Sequence, residues 1–280
     1  MTTETPRAAQ GLSVLVAEDN AMNQRVATAM LERLGCETEV AENGREALAI
    51  LRARRFDVVL LDIQMPELDG LATAAAIVAE WPDRGARPRL VGMTANGLPG
   101  DRARCLSAGM DDYLPKPLEL TELVRVLATP MAGEAHVAPG IAREAAQESR
   151  RSHTSPSGDG LLDRVTVQRL RALSESEGGG LLPDLVDIFA EETPRQLAKA
   201  RAARDAGDLP RLAVIAHRIR GSCSSLGIIR MTAIATDLEI AATEGRAHDV
   251  PRLLDTLTEE LPRARAALLR LTGRDDPTAA

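Results

Sequence analysis

The chain has 280 residues, with 34 basic and 41 acidic side chains and a formal net charge of −7. That length is enough for two domains that each bury a core. The acidic balance and the lack of a basic cluster argue against nucleic acid as a direct partner. No apolar run approaches the roughly 18 residues of a membrane span, and the first residues do not form a signal peptide pattern. We therefore expect a cytoplasmic protein without membrane insertion.

Cysteine usage agrees with that location. The three cysteines, Cys36, Cys105 and Cys223, are widely spaced, and none belongs to a CxxC pair. An odd number of isolated cysteines is typical of reduced thiols, not of a disulfide framework or a zinc site.

Residues 12–128 alternate short apolar runs with amphipathic helical patterns. The apolar runs lie at 13–17, 36–40, 57–61, 89–93 and 112–114. The helical patterns lie around 23–34, 45–54, 70–80, 99–107 and 119–127, and Asp69 is placed to cap the third of them. A repeated strand–helix pattern with continuously apolar central strands predicts a doubly wound, five-stranded parallel sheet covered by helices.

The second half of the chain has a different pattern. Residues 129–160 are rich in Pro, Gly, Ser and charge, which predicts a flexible linker. Beyond it only helical periodicity remains, around 163–174, 182–206, 209–226, 231–244 and 250–271. Pro194 and Pro262 fall inside these helices, and we expect them to kink or break the helices. Residues 161–272 are therefore predicted to form an all-α, up-down helical bundle.

Carboxylates fall where two predicted strands end. Glu18 and Asp19 end the first strand, and Asp62 ends the third. Ligands of doubly wound sheets collect at the carboxyl ends of the strands. If these strands are neighbours, three carboxylates converge, and like charges at such distances require a neutralising cation. Hard oxygen ligands in a half-open cleft favour Mg²⁺.

Two further groups are expected to reach the same cleft from its other side. Thr94 ends the fourth strand, and Lys116 follows the fifth. A carboxylate nucleophile, a divalent ion, a hydroxyl and a lysine together can form an acyl-phosphate site. Each feature alone has little specificity, since a carboxylate pair at a strand end is more often a solvated loop. Their occurrence as an ordered set at the ends of neighbouring strands favours the functional interpretation.

Four motifs of this half resemble those of response-regulator receiver domains, above all the receivers attached to hybrid histidine kinases. They are VAEDN (16–20), LLDIQMPELDG (60–70), MTAN (93–96) and DDYLPKP (111–117). The resemblance covers residues 12–128. It implies that Asp62 accepts the phosphoryl group. It also implies that Glu18, Asp19, Asp62 and the backbone carbonyl of Gln64 hold Mg²⁺.

The same resemblance assigns three more residues. Thr94 and Lys116 would contact the phosphoryl oxygens. Tyr113 matches the switch aromatic of the family, with simple core packing as the alternative role. Phosphorylation would draw Thr94 inward and let Tyr113 follow, which remodels the surface near the fourth and fifth helices.

In the second half, one histidine has supporting neighbours. His217 lies on a predicted helix about 100° around from Ala216, at the edge of the face that we expect to be buried. Arg220, Gly221 and Ser224 lie on the same side as His217. A cation one turn away attracts phosphate oxygens. Gly221 leaves room for an approaching partner, at a cost in helix stability of roughly 1 kcal/mol relative to alanine.

The segment AHRIRGSCSSLG (216–227) resembles the histidine phosphotransfer motif, and LVDIFAEETPRQL (185–197) resembles an earlier helix of that family. The resemblance covers roughly residues 161–272 and implies that His217 is a second phosphoacceptor. Two departures stand out, since Arg220 replaces the usual lysine and Cys223 replaces the second serine. Arginine keeps the charge but presents a planar fork in place of a point charge.

These patterns predict a two-component phosphorelay protein that carries phosphoryl groups on Asp62 and His217. No pattern of an ATP-binding kinase core is present, so we expect a carrier that is not an enzyme. Its expected partners are a sensor histidine kinase and response-regulator receiver domains, without a small-molecule substrate. Two alternatives remain open, a receiver-switched interaction regulator that transfers nothing and the C-terminal part of a hybrid histidine kinase. A dehalogenase-type hydrolase is disfavoured because its DxD motif would end the first strand.

Overall fold

The computed structural model describes residues 9–94, 99–128 and 160–274. Its N-terminal part is a five-stranded parallel sheet in the order β2-β1-β3-β4-β5, which confirms the predicted fold class. The strands are β1 (Ser13–Ala17), β2 (Glu37–Ala41), β3 (Val58–Asp62), β4 (Arg89–Thr94) and β5 (Asp112–Pro115). The helices between and after them are α1 (Ala21–Arg33), α2 (Gly44–Ala53), α3 (Gly70–Glu80), α4 (Pro99–Ser107) and α5 (Leu120–Ala128).

The central strands bring the ends of β1, β3 and β4 to one edge of the sheet. Every residue of β3 and β4 is buried, as expected for strands with helices on both faces. In the register, Ala17 lies opposite Leu61, and Asp62 lies opposite Met93. Asp62 is therefore the last residue of its strand, next to the residues that follow β1.

The first residue of α3, Gly70, packs closely against the end of β3. Asp69 caps the helix as predicted, because its carboxylate accepts a hydrogen bond of 2.7 Å from the Ala72 amide. A Cβ at Gly70 would lie only 2.1 Å from the carbonyl oxygen of Asp62. A side chain at position 70 would therefore push the helix away from the end of β3.

Over residues 160–274 the regular structure is helical apart from a single bridge between Leu162 and Ile228. Its helices are α6 (Arg164–Ser176), α7 (Leu181–Asp205), α8 (Leu209–Ser225), α9 (Ile229–Thr243) and α10 (Val250–Leu271). From α7 onward each helix packs against the next, and α10 packs back against α7. Short connections between such neighbours produce the predicted up-down bundle.

The two internal prolines do not interrupt their helices, which corrects the expected break. Pro194 lies inside α7 and Pro262 inside α10, and both helices continue past them. A proline costs a helix interior about 3 kcal/mol or more. Buried side chains on the following turns, Leu197 in α7 and Ala264 in α10, anchor the continuation of each helix in the core.

The two parts contact each other through α1, which packs against α6, α7 and α8. Buried side chains of the sheet domain and of the bundle belong to one continuous apolar cluster. Residues 129–159 of the predicted linker lie outside the described residues. Within the described ranges, no helix combines the length and the apolar character needed to cross a bilayer.

Candidate functional site

Three carboxylates meet at the edge of the sheet where β1 and β3 end. Glu18, Asp19 and Asp62 each offer one oxygen, and these oxygens lie within 4.8 Å of one another. Glu18 is 1% exposed and Asp62 is 2% exposed. The strand order explains the convergence, because β1 and β3 are parallel neighbours whose carboxyl ends coincide.

Lys116 compensates part of this negative charge. Its ammonium lies 2.6 Å from Glu18 Oε2 and 2.7 Å from Asp62 Oδ2. Burial and the nearby Asp62 carboxylate raise the pKa of Glu18 to about 8, although Lys116 acts in the opposite direction. Burial alone would lower the pKa of Lys116, but the carboxylates of Asp62 and Glu18 outweigh it and raise that pKa. Burial likewise raises the pKa of Asp19.

The donor set fits a hard divalent ion. Three carboxylate oxygens within 4.8 Å of one another are close enough to share one cation, and carboxylate oxygens are ligands that Mg²⁺ prefers. The loop after β3 closes over the carboxylate, since the backbone amide of Gln64 donates a hydrogen bond of 3.2 Å to Asp62 Oδ1. The three carboxylates outnumber the two cations that pair with them, Lys116 and Arg218, and a bound cation would neutralise the remaining negative charge.

Thr94 and Tyr113 occupy the strands beside Asp62. Thr94 ends β4 and is 1% exposed, and its hydroxyl has no hydrogen-bond partner among the described residues. A buried hydroxyl without a partner costs free energy, so a ligand oxygen that it could bind would remove this cost. Tyr113 on β5 is half-buried and packs against the apolar cluster beneath α3 and α4.

His217 lies on α8 in a second polar cluster, formed with α9. Its Nδ1 atom lies 3.0 Å from Glu239 Oε1 and 2.8 Å from Arg220 Nη2. Arg220 Nε also pairs with Glu239 Oε2 at 2.9 Å. In any one tautomer Nδ1 either donates to Glu239 or accepts from Arg220, but does not do both. When Nδ1 donates to the carboxylate, Nε2 carries the free electron pair.

His217 is only 9% exposed, so it is more deeply placed than the helix-face argument predicted. Glu239, its nearest anion, was not among the residues expected from the sequence. No spacing along the chain points to it, because the contact depends on how α9 crosses α8.

The helix of His217 faces the end of β1 through a set of polar contacts. The side-chain amide of Asn20 donates to the carbonyl of Arg218 at 2.8 Å and to Ser222 Oγ at 2.9 Å. Ser225 Oγ donates to Asn23 Oδ1 at 2.7 Å. A Cβ at Gly221 would lie 3.2 Å from Asn23 Nδ2, so the glycine permits this close approach.

Arg218 was not predicted as a site residue. It follows His217 on α8 and contacts the carboxylate cluster directly. Its Nε donates to Asp19 Oδ2 at 2.6 Å, and the Asp19 side chain is 3% exposed. The sequence offered only its position next to His217 as a signal, and an arginine on a helix is more often a solvated surface residue.

The two clusters share one cleft of about 290 Å³. Among the residues predicted for the site, those that line it are Glu18, Asp19, Lys116, His217, Arg220, Gly221 and Ser224. Asp62, Thr94, Gln64 and Tyr113 are not part of this lining. The structure thus brings Glu18 and Asp19 into one cleft with the histidine, and the buried Asp62 contacts this cleft only through Lys116.

Comparison with protein families decides the identity of both parts. The family model of the response regulator receiver domain matches residues 14–128, and that of the Hpt domain matches residues 184–267. The chain is a receiver domain fused to an Hpt domain. Both are phosphotransfer modules of two-component phosphorelays, as the sequence motifs predicted.

Curated relatives of this receiver–Hpt chain are hybrid sensor kinases. It is 36% identical over 273 residues to the sensor histidine kinase AruS of Pseudomonas aeruginosa, a match of 96% of this chain and 25% of that protein. It is 28% identical over 249 residues to the aerobic respiration control sensor protein ArcB of Escherichia coli, covering 89% of this chain and 30% of that protein. The receiver–Hpt chain therefore spans less than a third of the length of these relatives.

Two solved structures are also similar to the receiver–Hpt chain. One is the receiver domain of a sensor histidine kinase from Pseudomonas aeruginosa, with a magnesium ion in its active site cleft. It is 41% identical, covers 42% of this chain and 94% of that chain, and has a TM-score of 0.38. The other is a complex of a Saccharomyces cerevisiae histidine phosphotransfer protein with the receiver domain of its downstream response regulator. It is 28% identical, covers 42% of this chain and 87% of that chain, and has a TM-score of 0.40.

Proposed function

We propose that the receiver–Hpt chain is a phosphorelay intermediate in which Asp62 and His217 are the two phosphoacceptors. The observation that supports this proposal is the shared cleft, which is lined by the acidic pair, Lys116 and His217. A phosphoryl group moving between the two domains would remain enclosed by residues of both. Exclusion of water in this way protects a reactive acyl phosphate from hydrolysis.

The acidic edge is the proposed metal site. Glu18, Asp19, Asp62 and the backbone carbonyl of Gln64 would hold Mg²⁺. When bound, the ion would neutralise the carboxylates and the phosphoryl oxygens. The ammonium of Lys116, already 2.7 Å from Asp62 Oδ2, would bind a phosphoryl oxygen. The hydroxyl of Thr94, which has no hydrogen-bond partner within the described ranges, would donate to another.

On the bundle side, Glu239 would set the reactive tautomer of His217. With the Nδ1 proton donated to Glu239, the Nε2 electron pair is free to attack phosphorus. Transfer from the histidine reverses this step. The P–N bond breaks as an oxygen of Asp62 bonds to phosphorus, and the P–N electron pair returns to Nε2. Arg220 would attract the phosphoryl oxygens, and Gly221 and Ser224 would form the surface on which a partner approaches.

Partners follow from the proposed chemistry. A sensor histidine kinase would supply the phosphoryl group, and a response-regulator receiver domain would take it, in the cytoplasm and without nucleic acid or a small-molecule substrate. Tyr113 would report phosphorylation to the surface near α4 and α5. We further propose a carrier role and no enzymatic activity of its own for this chain.

A second candidate is that the chain forms the C-terminal part of a hybrid histidine kinase. The observation that favours it is the match of 96% of this chain to only 25% of the AruS kinase. The carrier chemistry on Asp62 and His217 is the same in both cases, but the kinase would then act in cis. A receiver-switched regulator that transfers nothing lacks an observation that favours it.

Phosphotransfer profiling tests the proposal. The chain and its Asp62→Ala and His217→Ala variants are incubated with radiolabelled, phosphorylated histidine kinases. Acid and base stability then distinguish phosphoaspartate from phosphohistidine. We expect base-labile label to be lost in the first variant and acid-labile label in the second. Absence of acid-labile label from every combination would rule out the relay.

A further inference from the structure

The bundle contributes a cation to the receiver's acidic edge. Arg218 Nε donates to Asp19 Oδ2 at 2.6 Å, and the guanidinium side chain is 22% exposed. Lys116 pairs with Glu18 and Asp62. In the described part of the chain, therefore, each carboxylate of the edge has a cationic partner, and Asp19 obtains its partner from the other domain.

The backbone around Arg218 holds the guanidinium in that place. The carbonyl of Arg218 accepts a hydrogen bond of 2.8 Å from the Asn20 side chain, directly after Asp19 in the chain. The contacts of Ser222 with Asn20 and of Ser225 with Asn23 secure the next turns of α8. The pair of Arg218 and Asp19 is thus part of the docked arrangement of the domains, not an isolated surface ion pair.

A divalent ion and this arginine need the same carboxylate. An Mg²⁺ ion lies about 2.1 Å from its oxygen ligands, so an ion on Asp19 would come within about 5 Å of the guanidinium. By Coulomb's law, the repulsion between a divalent ion and the guanidinium at that separation lowers the affinity of the site for the ion by a factor of roughly 15, even with the screening of bulk water. When the ion binds Asp19, the hydrogen bond between Arg218 and Asp19 is also lost.

We propose that Arg218 and a divalent cation are alternative partners of Asp19, so that docking of the Hpt domain through Arg218 and metal binding by the receiver oppose each other. This inference rests on the proposed metal site. Because the two binding events are thermodynamically linked, each one weakens the other by the same factor. Metal entry releases the Arg218 side chain from Asp19 and weakens the contact, which the hydrogen bonds of Asn20 and Asn23 with α8 still hold, whereas the docked bundle lowers the metal affinity of the receiver. Arg218 is a positioning residue in this scheme.

Isothermal titration of the full chain with magnesium chloride tests the proposal. We expect Arg218→Ala and Arg218→Gln to bind Mg²⁺ roughly tenfold more tightly than the parent chain, and Arg218→Lys to lie in between. Arg195→Ala is the matched control, because it removes the same charge from an exposed site whose ion pairs stay within α7. Its affinity should stay within about twofold of the parent. Circular dichroism melts verify that each variant is folded.

The outcomes separate this inference from the proposed function. Equal Mg²⁺ affinity in the parent chain and in both neutral Arg218 variants would overturn the opposition and leave the metal site standing. An equal gain in Arg195→Ala would also overturn it, since the effect would then be one of net charge. If neither the parent nor the variants bound Mg²⁺, the proposed metal site itself would fall, and the inference with it.

Discussion

Gly221 lies where α8 closely approaches the start of α1, and its replacement by alanine should affect stability and docking in opposite directions. Within α8 alanine is favoured over glycine by about 1 kcal/mol, so the bundle should become more stable. The new Cβ would, however, lie 3.2 Å from Asn23 Nδ2 and 3.5 Å from Asn20 Nδ2. The distance to Asn20 is an ordinary van der Waals contact, but the distance to Asn23 requires that side chain to move by a few tenths of an ångström.

Asn23 cannot move freely. Its Nδ2 atom donates to Glu18 Oε1 at 2.9 Å, and its Oδ1 atom accepts from Ser225 Oγ at 2.7 Å. Hydrogen bonds of this kind contribute about 0.5–1.5 kcal/mol each. Weakening two of them would cost about 1–2 kcal/mol, which corresponds to a loss in docking of roughly 5- to 30-fold.

Two assays on the full chain measure these opposite effects. A thermal melt should show the melting temperature of Gly221→Ala raised by about 2–4 °C. Single-turnover transfer of label between the domains should slow by about the factor calculated for docking. Gly100→Ala is the control, because a Cβ at that position meets no atom within 4 Å. A Gly221→Ala variant that transferred label at the parent rate would refute the close-approach reasoning.

Other predictions concern charge. Glu239→Gln should slow phosphorylation of His217 by roughly 10-fold or more, because the neutral amide no longer stabilises positive charge on the ring and its NH₂ group can favour the other tautomer. Glu244→Gln is the control, and an unchanged single-turnover rate would contradict this. The pKa of Glu18 is raised to about 8, so this carboxyl must lose a proton to bind metal. Mg²⁺ affinity should therefore rise up to about tenfold per pH unit below 8 and level off above it, and Glu18→Gln should lack this dependence in calorimetry. Arg25→Ala should slow interdomain transfer by less than about fivefold, since Arg25 is 27% exposed and one of its two partners, Asp184, is 54% exposed, so that solvent screens the pairs.

Much of the fold was predictable because local physics determined it. Buried runs identified the strands, and the observed β3 begins one residue later than predicted, since the Asp57 carboxylate accepts hydrogen bonds from the Ser13 amide and hydroxyl. The N-cap at Asp69 follows from side-chain chemistry within four residues. Pro194 was expected to kink or break α7 because of its local cost. The helix continues past it because side chains on both sides of the proline pack into the core.

The site was predictable only in part, for a related physical reason. Asp62 and His217 stand in motifs whose residues are neighbours along the chain or along one helix face. Glu239 reaches His217 across the packing of two helices, and Arg218 reaches Asp19 across two domains. Such contacts depend on crossing angles and domain placement, which no periodicity in the sequence encodes.

The side chain of Asn20 caps α1 and also binds the Hpt domain. Its Oδ1 caps α1 by accepting from the amide of Met22 at 2.9 Å, while its Nδ2 binds the opposing helix of the bundle. Asparagine is among the few side chains that offer an acceptor and a donor on the same short stem. A substitution at this position that changes the contact with the bundle therefore also changes the stability of the receiver domain. In an evolving family of such chains, recognition and stability cannot change independently at residue 20, whereas they can at a contact with an exposed partner, such as that of Arg25 with Asp184.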